Sequence, residues 1–115
     1  MQILGSAVAV LVLSSAAFAI DVPDNGSDVA YQNTGTVDHT VVITNTGNDT
    51  VYAVVKNAGG DILGWVKINP GDAKPSTSPP GGSTTVDDKD YSGTQTNPTI
   101  TNDSNTSKAE YTVTP

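Results

Sequence analysis

The chain contains no cysteine and no arginine, and only one histidine, one tryptophan, one phenylalanine and one methionine. Each absence excludes something. Without thiols there is no disulfide framework, thiolate metal site, redox motif or cysteine nucleophile. With 5 lysines against 12 acidic residues, the formal net charge is −7. Nucleic-acid binding needs a basic footprint to neutralise phosphates, and an anionic membrane surface repels such a chain. Hydrophobic residues make up 36% of the 115, too few for a large enzyme core or a nucleotide-binding α/β domain. Small exported domains usually supplement a thin core with disulfides. Lacking them, this one needs another source of stability, such as self-assembly or a bound ion.

The apolar residues present are unevenly spread. Of residues 1–20, 15 are apolar; of the remaining 95, 26 are, about 27%. That body sits near the limit at which burial offsets ordering entropy. Met1–Ile20 reads MQILGSAVAVLVLSSAAFAI and carries no charged side chain. As a helix it would be about 30 Å long, the thickness of a bilayer hydrocarbon core. It is apolar on every face, unlike a helix packed on one side. Asp21-Val22-Pro23 ends it, and Asp24-Asn25-Gly26-Ser27 is a turn signal. Three readings compete. Ala17-Phe18-Ala19 fits the small-x-small site of a secretory signal peptide, with a mature start at Ile20. The length also suffices for a permanent membrane anchor. The third reading is the core helix of a filament subunit whose basic leader has been removed, which explains why no positive residue precedes the run.

From Thr36 the period changes to two. Val37, His39, Val41 and Ile43 fall on one face of a strand, and Thr36, Asp38, Thr40 and Thr44 on the other. Asn45–Asp49 is a turn. Val51, Ala53 and Val55 alternate with Tyr52, Val54 and Lys56, a strand with both faces partly buried. Ala58-Gly59-Gly60-Asp61 is a hairpin loop leading to a strand over Ile62–Ile68, closed by Asn69-Pro70-Gly71-Asp72. Residues 75–83 are rich in proline, glycine and serine and read as a long exposed loop. Thr84-Thr85-Val86, Tyr91 and Thr99-Ile100-Thr101 are weaker strand candidates, and Lys108–Thr114 closes the chain with a clear alternation. Strands spaced by about ten residues with turn punctuation point to an antiparallel sandwich.

The run Val41–Asp72, VVITNTGNDTVYAVVKNAGGDILGWVKINPGD, resembles the immunoglobulin-like modules of exported archaeal and bacterial surface proteins, with a strand ending in N-x-G-N, a following strand and a P-G turn. Together with the apolar N-terminus, the layout resembles an archaeal type IV pilin or archaellin-like subunit. Gly5 stands where bacterial type IV pilins carry glutamate. The resemblance implies an N-terminal core helix joined to a β-sandwich that is often glycosylated.

Four sequons are present: Asn25-Gly26-Ser27, Asn48-Asp49-Thr50, Asn102-Asp103-Ser104 and Asn105-Thr106-Ser107, all in expected turns. A chain this rich in asparagine, serine and threonine also generates such matches by chance. His39, the single histidine, lies on an apolar strand face and reads as a partly buried or interface residue, since no partners for a triad or metal set accompany it. Asp87-Asp88-Lys89-Asp90 could offer oxygens to calcium, but it lacks the glycine and glutamate of an EF-hand loop and reads as an exposed acidic loop. Tyr52 and Trp65 read as sandwich core.

The sequence therefore predicts a mainly β protein: an immunoglobulin-like antiparallel β-sandwich over residues 23–115, preceded by one hydrophobic α-helix over residues 1–22. The expected function is that of a structural subunit of an extracellular, cell-surface filament, a homopolymer that passes through the membrane before assembly. Ile3, Leu4, Ala7, Val8, Val10, Leu11, Val12, Leu13 and Phe18 would form the assembly face, with small residues allowing close helix approach. Asn25, Asn48, Asn102 and Asn105 are the candidate glycan sites. No catalytic, cofactor-binding or metal-ligating set is expected, and no nucleic-acid partner. The alternatives are a secreted sandwich subunit joined by donor-strand exchange and a monomeric secreted binding module whose residues 1–19 are a cleaved signal.

Overall fold

A computed structural model describes residues 18–115. These residues form ten strands: β1 Ile20–Val22, β2 Ser27–Gln32, β3 His39–Asn45, β4 Val51–Lys56, β5 Ile62–Ile68, β6 Ala73–Ser78, β7 Ser83–Asp87, β8 Asp90–Gly93, β9 Pro98–Thr101 and β10 Ala109–Thr114. All pairings are antiparallel. One four-stranded sheet runs β1-β10-β3-β6, a second runs β2-β7-β4-β5, and β8 and β9 form a separate hairpin.

The alternation of side chains explains how the sheets meet. Val22 from β1, Val41 and Ile43 from β3, and Ala109 and Tyr111 from β10 point inward from the first sheet. Val51 and Ala53 from β4, Ile68 from β5 and Val86 from β7 point inward from the second. Together they make one continuous core, and each buried valine or isoleucine contributes roughly 1.5–3 kcal/mol. Tyr111 reaches across the interface, its hydroxyl donating to Asp28 Oδ2 at 2.5 Å. His39 stacks on Tyr31 of the opposite sheet, with ring centroids 4.7 Å apart.

The expected helix-then-sandwich architecture is corrected to an all-β one. No helix occurs among the described residues, and none there is long and apolar enough to cross a membrane. Ile20–Val22, placed at the end of the expected helix, is a strand paired with Tyr111, Glu110 and Ala109. The physical reason is tertiary: β10 supplies the ladder partners, and pairing with it turns Val22 into the core at 5% exposure while Asp21 faces outward near Lys108. Phe18 is 84% exposed and lies just before this strand, not on a helical face. Ile3, Leu4, Ala7, Val8, Val10, Leu11, Val12 and Leu13 lie outside the described residues.

Two further differences follow from packing. Val37, expected on the core face, is 72% exposed because β3 begins only at His39. The segment expected as a loop over 75–83 contains β6 up to Ser78. Pro75 is tolerated because β6 is an edge strand. Ser76 and Ser78 are held inward by hydrogen bonds with Thr84 Oγ1, at 2.9 and 2.8 Å.

β4 is covered on both faces, which positions the hairpin. Its outward side chains, Tyr52 and Val54, form a second cluster with Tyr91, Ile62 and Trp65. Tyr52 and Trp65 meet edge to face at 5.9 Å, and Tyr91 lies 5.5 Å from Tyr52. Trp65 Nε1–H donates to Thr94 O at 3.0 Å, and Trp65 N–H to Gln95 Oε1 at 2.9 Å. Tyr52 and Trp65 thus belong to a small core beneath the β8–β9 hairpin, outside the inter-sheet core.

Candidate functional site

The turns hold the unusual chemistry. Asn45 ends β3 and is 1% exposed. Its Nδ2 donates to Asp49 O at 2.7 Å and Ile68 O at 2.9 Å, while its Oδ1 accepts from Gly47 N–H at 3.0 Å. Asn33 repeats this arrangement after β2 in the same Asn-Thr-Gly context, donating to Val37 O and Ser78 O and accepting from Gly35 N–H. In the β3–β4 turn this pins the backbone of Asp49, which also donates its N–H to Lys108 O.

Asp49, Asp88 and Asp103 converge from three different connections, β3–β4, β7–β8 and β9–β10. One carboxylate oxygen from each lies within 4.8 Å of the others. Asn25, in the β1–β2 turn with the left-handed φ of 53° that asparagine accepts, braces the group. Its N–H donates to Asp88 Oδ2 at 3.2 Å; its side chain accepts from Asp103 N–H at 2.6 Å and donates to Asp103 O at 3.1 Å. Asn105 donates its side chain to Asp49 Oδ1 at 3.1 Å and its N–H to Asp103 Oδ1 at 2.9 Å.

The neighbours Asp87 and Asp88 are 3% and 1% exposed, so the run expected as an exposed acidic loop turns its first two carboxylates inward. Their environments differ. Asp87 accepts from Ser27 Oγ, Thr85 Oγ1 and the Tyr91 hydroxyl, and is a satisfied anchor. Asp88 Oδ1 receives no amide or hydroxyl donor, and neither does Asp49 Oδ2, although Asp49 is only 3% exposed. Leaving such buried atoms without donors is costly.

The electrostatics follow. Burial first, then the carboxylates of Asp88 and Asp103, push the Asp49 carboxyl up from its ordinary 3.8 to about 7. Burial also raises Asp88, against the opposing pull first of a hydrogen bond from the Asp49 carboxyl and then of one from Asn25 N–H. An acid whose folded pKa exceeds its unfolded one favours folding at low pH, and that contribution is lost as pH rises from about 4 through 7. At neutral pH the bare cluster therefore opposes folding. Three oxygen-bearing side chains with no nitrogen or sulfur donor suit a hard cation, not zinc.

The four sequon asparagines divide into two exposed ones and two held in the acidic cluster. Asn48 and Asn102 are exposed, with amides free to carry a glycan among the described hydrogen bonds. The side-chain amides of Asn25 and Asn105 are engaged in the acidic cluster. His39 stacks on Tyr31, which packs against the inter-sheet core. An open cleft of about 310 Å³ lies elsewhere, lined by Asp38, Val55, Leu63, Gly64, Thr77 and Pro79. Sequence reasoning missed Asp49 and Asp103, which are the middle residues of two sequons whose asparagines alone drew notice. The available signal was an aspartate in each of three polar turns.

No protein-family model, curated protein or solved structure matches this chain.

Proposed function

We propose that this chain is an exported structural module, a β subunit of a cell-surface assembly whose polar body faces the external medium. The observation that carries this reading is the position of the first strand among the described residues: β1 begins at Ile20, directly after Ala17-Phe18-Ala19. A cut behind Ala19 would leave β1 whole and paired with β10. The net charge of −7 suits a solvated exterior, and Asn48 and Asn102 present exposed sequons where a glycan could sit.

A second observation favours self-association through sheet edges. β1 pairs only with Ala109, Glu110 and Tyr111. The register that sets Ile20 against Tyr111 carries Ala19 and Phe18 toward Thr112 and Val113, which β3 pairs on the other side. After a cut behind Ala19, a strand from a second copy could continue the sheet there, as in donor-strand exchange. N-terminal sequencing and size analysis of the protein recovered from outside its native cell test both readings. A start at Ile20 supports export with cleavage, and higher oligomers lost on placing proline at Val113 support edge pairing. Protein confined to the cell interior with Met1 intact refutes the export reading.

A further inference from the structure

We propose that Asp49, Asp88 and Asp103 form a calcium-binding site that staples the β3–β4, β7–β8 and β9–β10 connections together at one end of the sandwich. The proposal goes beyond the export reading and does not rest on it, since it concerns the folded body wherever the chain resides.

Geometry comes first. Calcium–oxygen bonds are about 2.3–2.6 Å, so oxygens on opposite sides of one ion stand roughly 4.6–5.2 Å apart and adjacent ones less. The three carboxylate oxygens lie within 4.8 Å of one another, a spacing one ion can bridge. The second observation is independent of the clustering. Asp49 Oδ2 and Asp88 Oδ1 are buried and receive no amide or hydroxyl donor, on residues 3% and 1% exposed. Adjacent Asp87, equally buried, has three hydroxyl donors, so this fold does satisfy a buried carboxylate where nothing else is to bind it.

The scaffold is arranged around the free atoms. In Asp49 and Asp88 one oxygen is tied down by Asn105 or Asn25, and the other is left without an amide or hydroxyl donor. Asn25 and Asn105 thus orient the ligands without neutralising them, as outer-sphere groups do around metals. Three carboxylates binding through one or both oxygens supply three to six ligands, and calcium takes six to eight oxygens in flexible geometry. Magnesium is the poorer fit, because it dehydrates reluctantly and the two buried oxygens are closed to water. Such a staple also answers the stability problem of a thin-cored chain with no cysteine.

The test uses the full-length chain stripped with EDTA, titrated with calcium chloride by calorimetry and followed by thermal melting. We expect a single site per chain and a Tm rise of roughly 10 °C or more once calcium exceeds its Kd a hundredfold. Magnesium chloride at the same concentration should give a clearly smaller rise. Asp49→Asn and Asp88→Asn should fold, since each removes a repelling charge, yet lose the calcium response; Asp61→Asn, in an exposed hairpin loop, should keep it. A melt unmoved by millimolar calcium overturns the site, as does a full response in Asp49→Asn. An equal response to magnesium overturns the choice of calcium.

Discussion

Asn45→Ala tests whether the turn asparagines, more than strand propensity, hold this fold together. The substitution deletes two donated hydrogen bonds, to Asp49 O at 2.7 Å and Ile68 O at 2.9 Å, and one accepted from Gly47 N–H at 3.0 Å. Each is worth about 1 kcal/mol net, with a further penalty where a buried carbonyl is left bare. The expected loss is therefore about 3 kcal/mol. Small domains are stable by only ~5–15 kcal/mol. For a domain of this size the loss corresponds to a Tm drop of roughly 12–24 °C. Urea unfolding followed by circular dichroism, run beside thermal melts, measures it as a lower midpoint at unchanged slope. Thr46→Ala is the control, because its hydroxyl meets Glu110 Oε1 in an exposed pair and its loss should stay within about 0.5 kcal/mol. If Asn45→Ala melts within ~2 °C of the parent, the bonds are replaced by water and the reasoning fails.

Two further outcomes are expected. Tyr52, Tyr91 and Tyr111 are all pushed above the ordinary tyrosine range, chiefly by burial and, for the last two, by the adjoining carboxylates of Asp87 and Asp28. Their contribution to stability is present below pH 10, the unfolded value, and is lost as pH rises above it; the larger part of the tyrosinate absorbance at 295 nm should climb only together with loss of the near-ultraviolet dichroism, and most tyrosines ionising near pH 10 in an intact fold would refute this. Trp65→Ala removes the ring packed against both Tyr52 and Tyr91 and the bond to Thr94 O, at a cost of about 2 kcal/mol for a half-buried tryptophan; amide exchange should quicken in β8 and β9 while β3 and β10 stay protected, and a uniform change across both sheets would contradict a separate hairpin core.

Several elements are legible without coordinates because their cause is local. Val51–Lys56, Ile62–Ile68 and the closing strand from Ala109 show their alternation directly, and Gly59-Gly60 and Pro70-Gly71 mark the turns after the first two. Composition alone excludes any thiol chemistry. Tertiary structure decides the rest. β1 is a strand because β10 offers Tyr111, Glu110 and Ala109 as partners, whereas three residues beside an apolar run carry no strand signal of their own. β6 is a strand despite its proline because β3 needs a neighbour and Thr84 supplies inward hydroxyl partners for Ser76 and Ser78. The acidic cluster is invisible to spacing for the same reason. Asp49, Asp88 and Asp103 sit in three separate connections, and only the folding of two sheets onto one core brings those connections to a common end. Charge type and turn location were written locally; which carboxylates lose their water and meet one another is a property of the packed sheets.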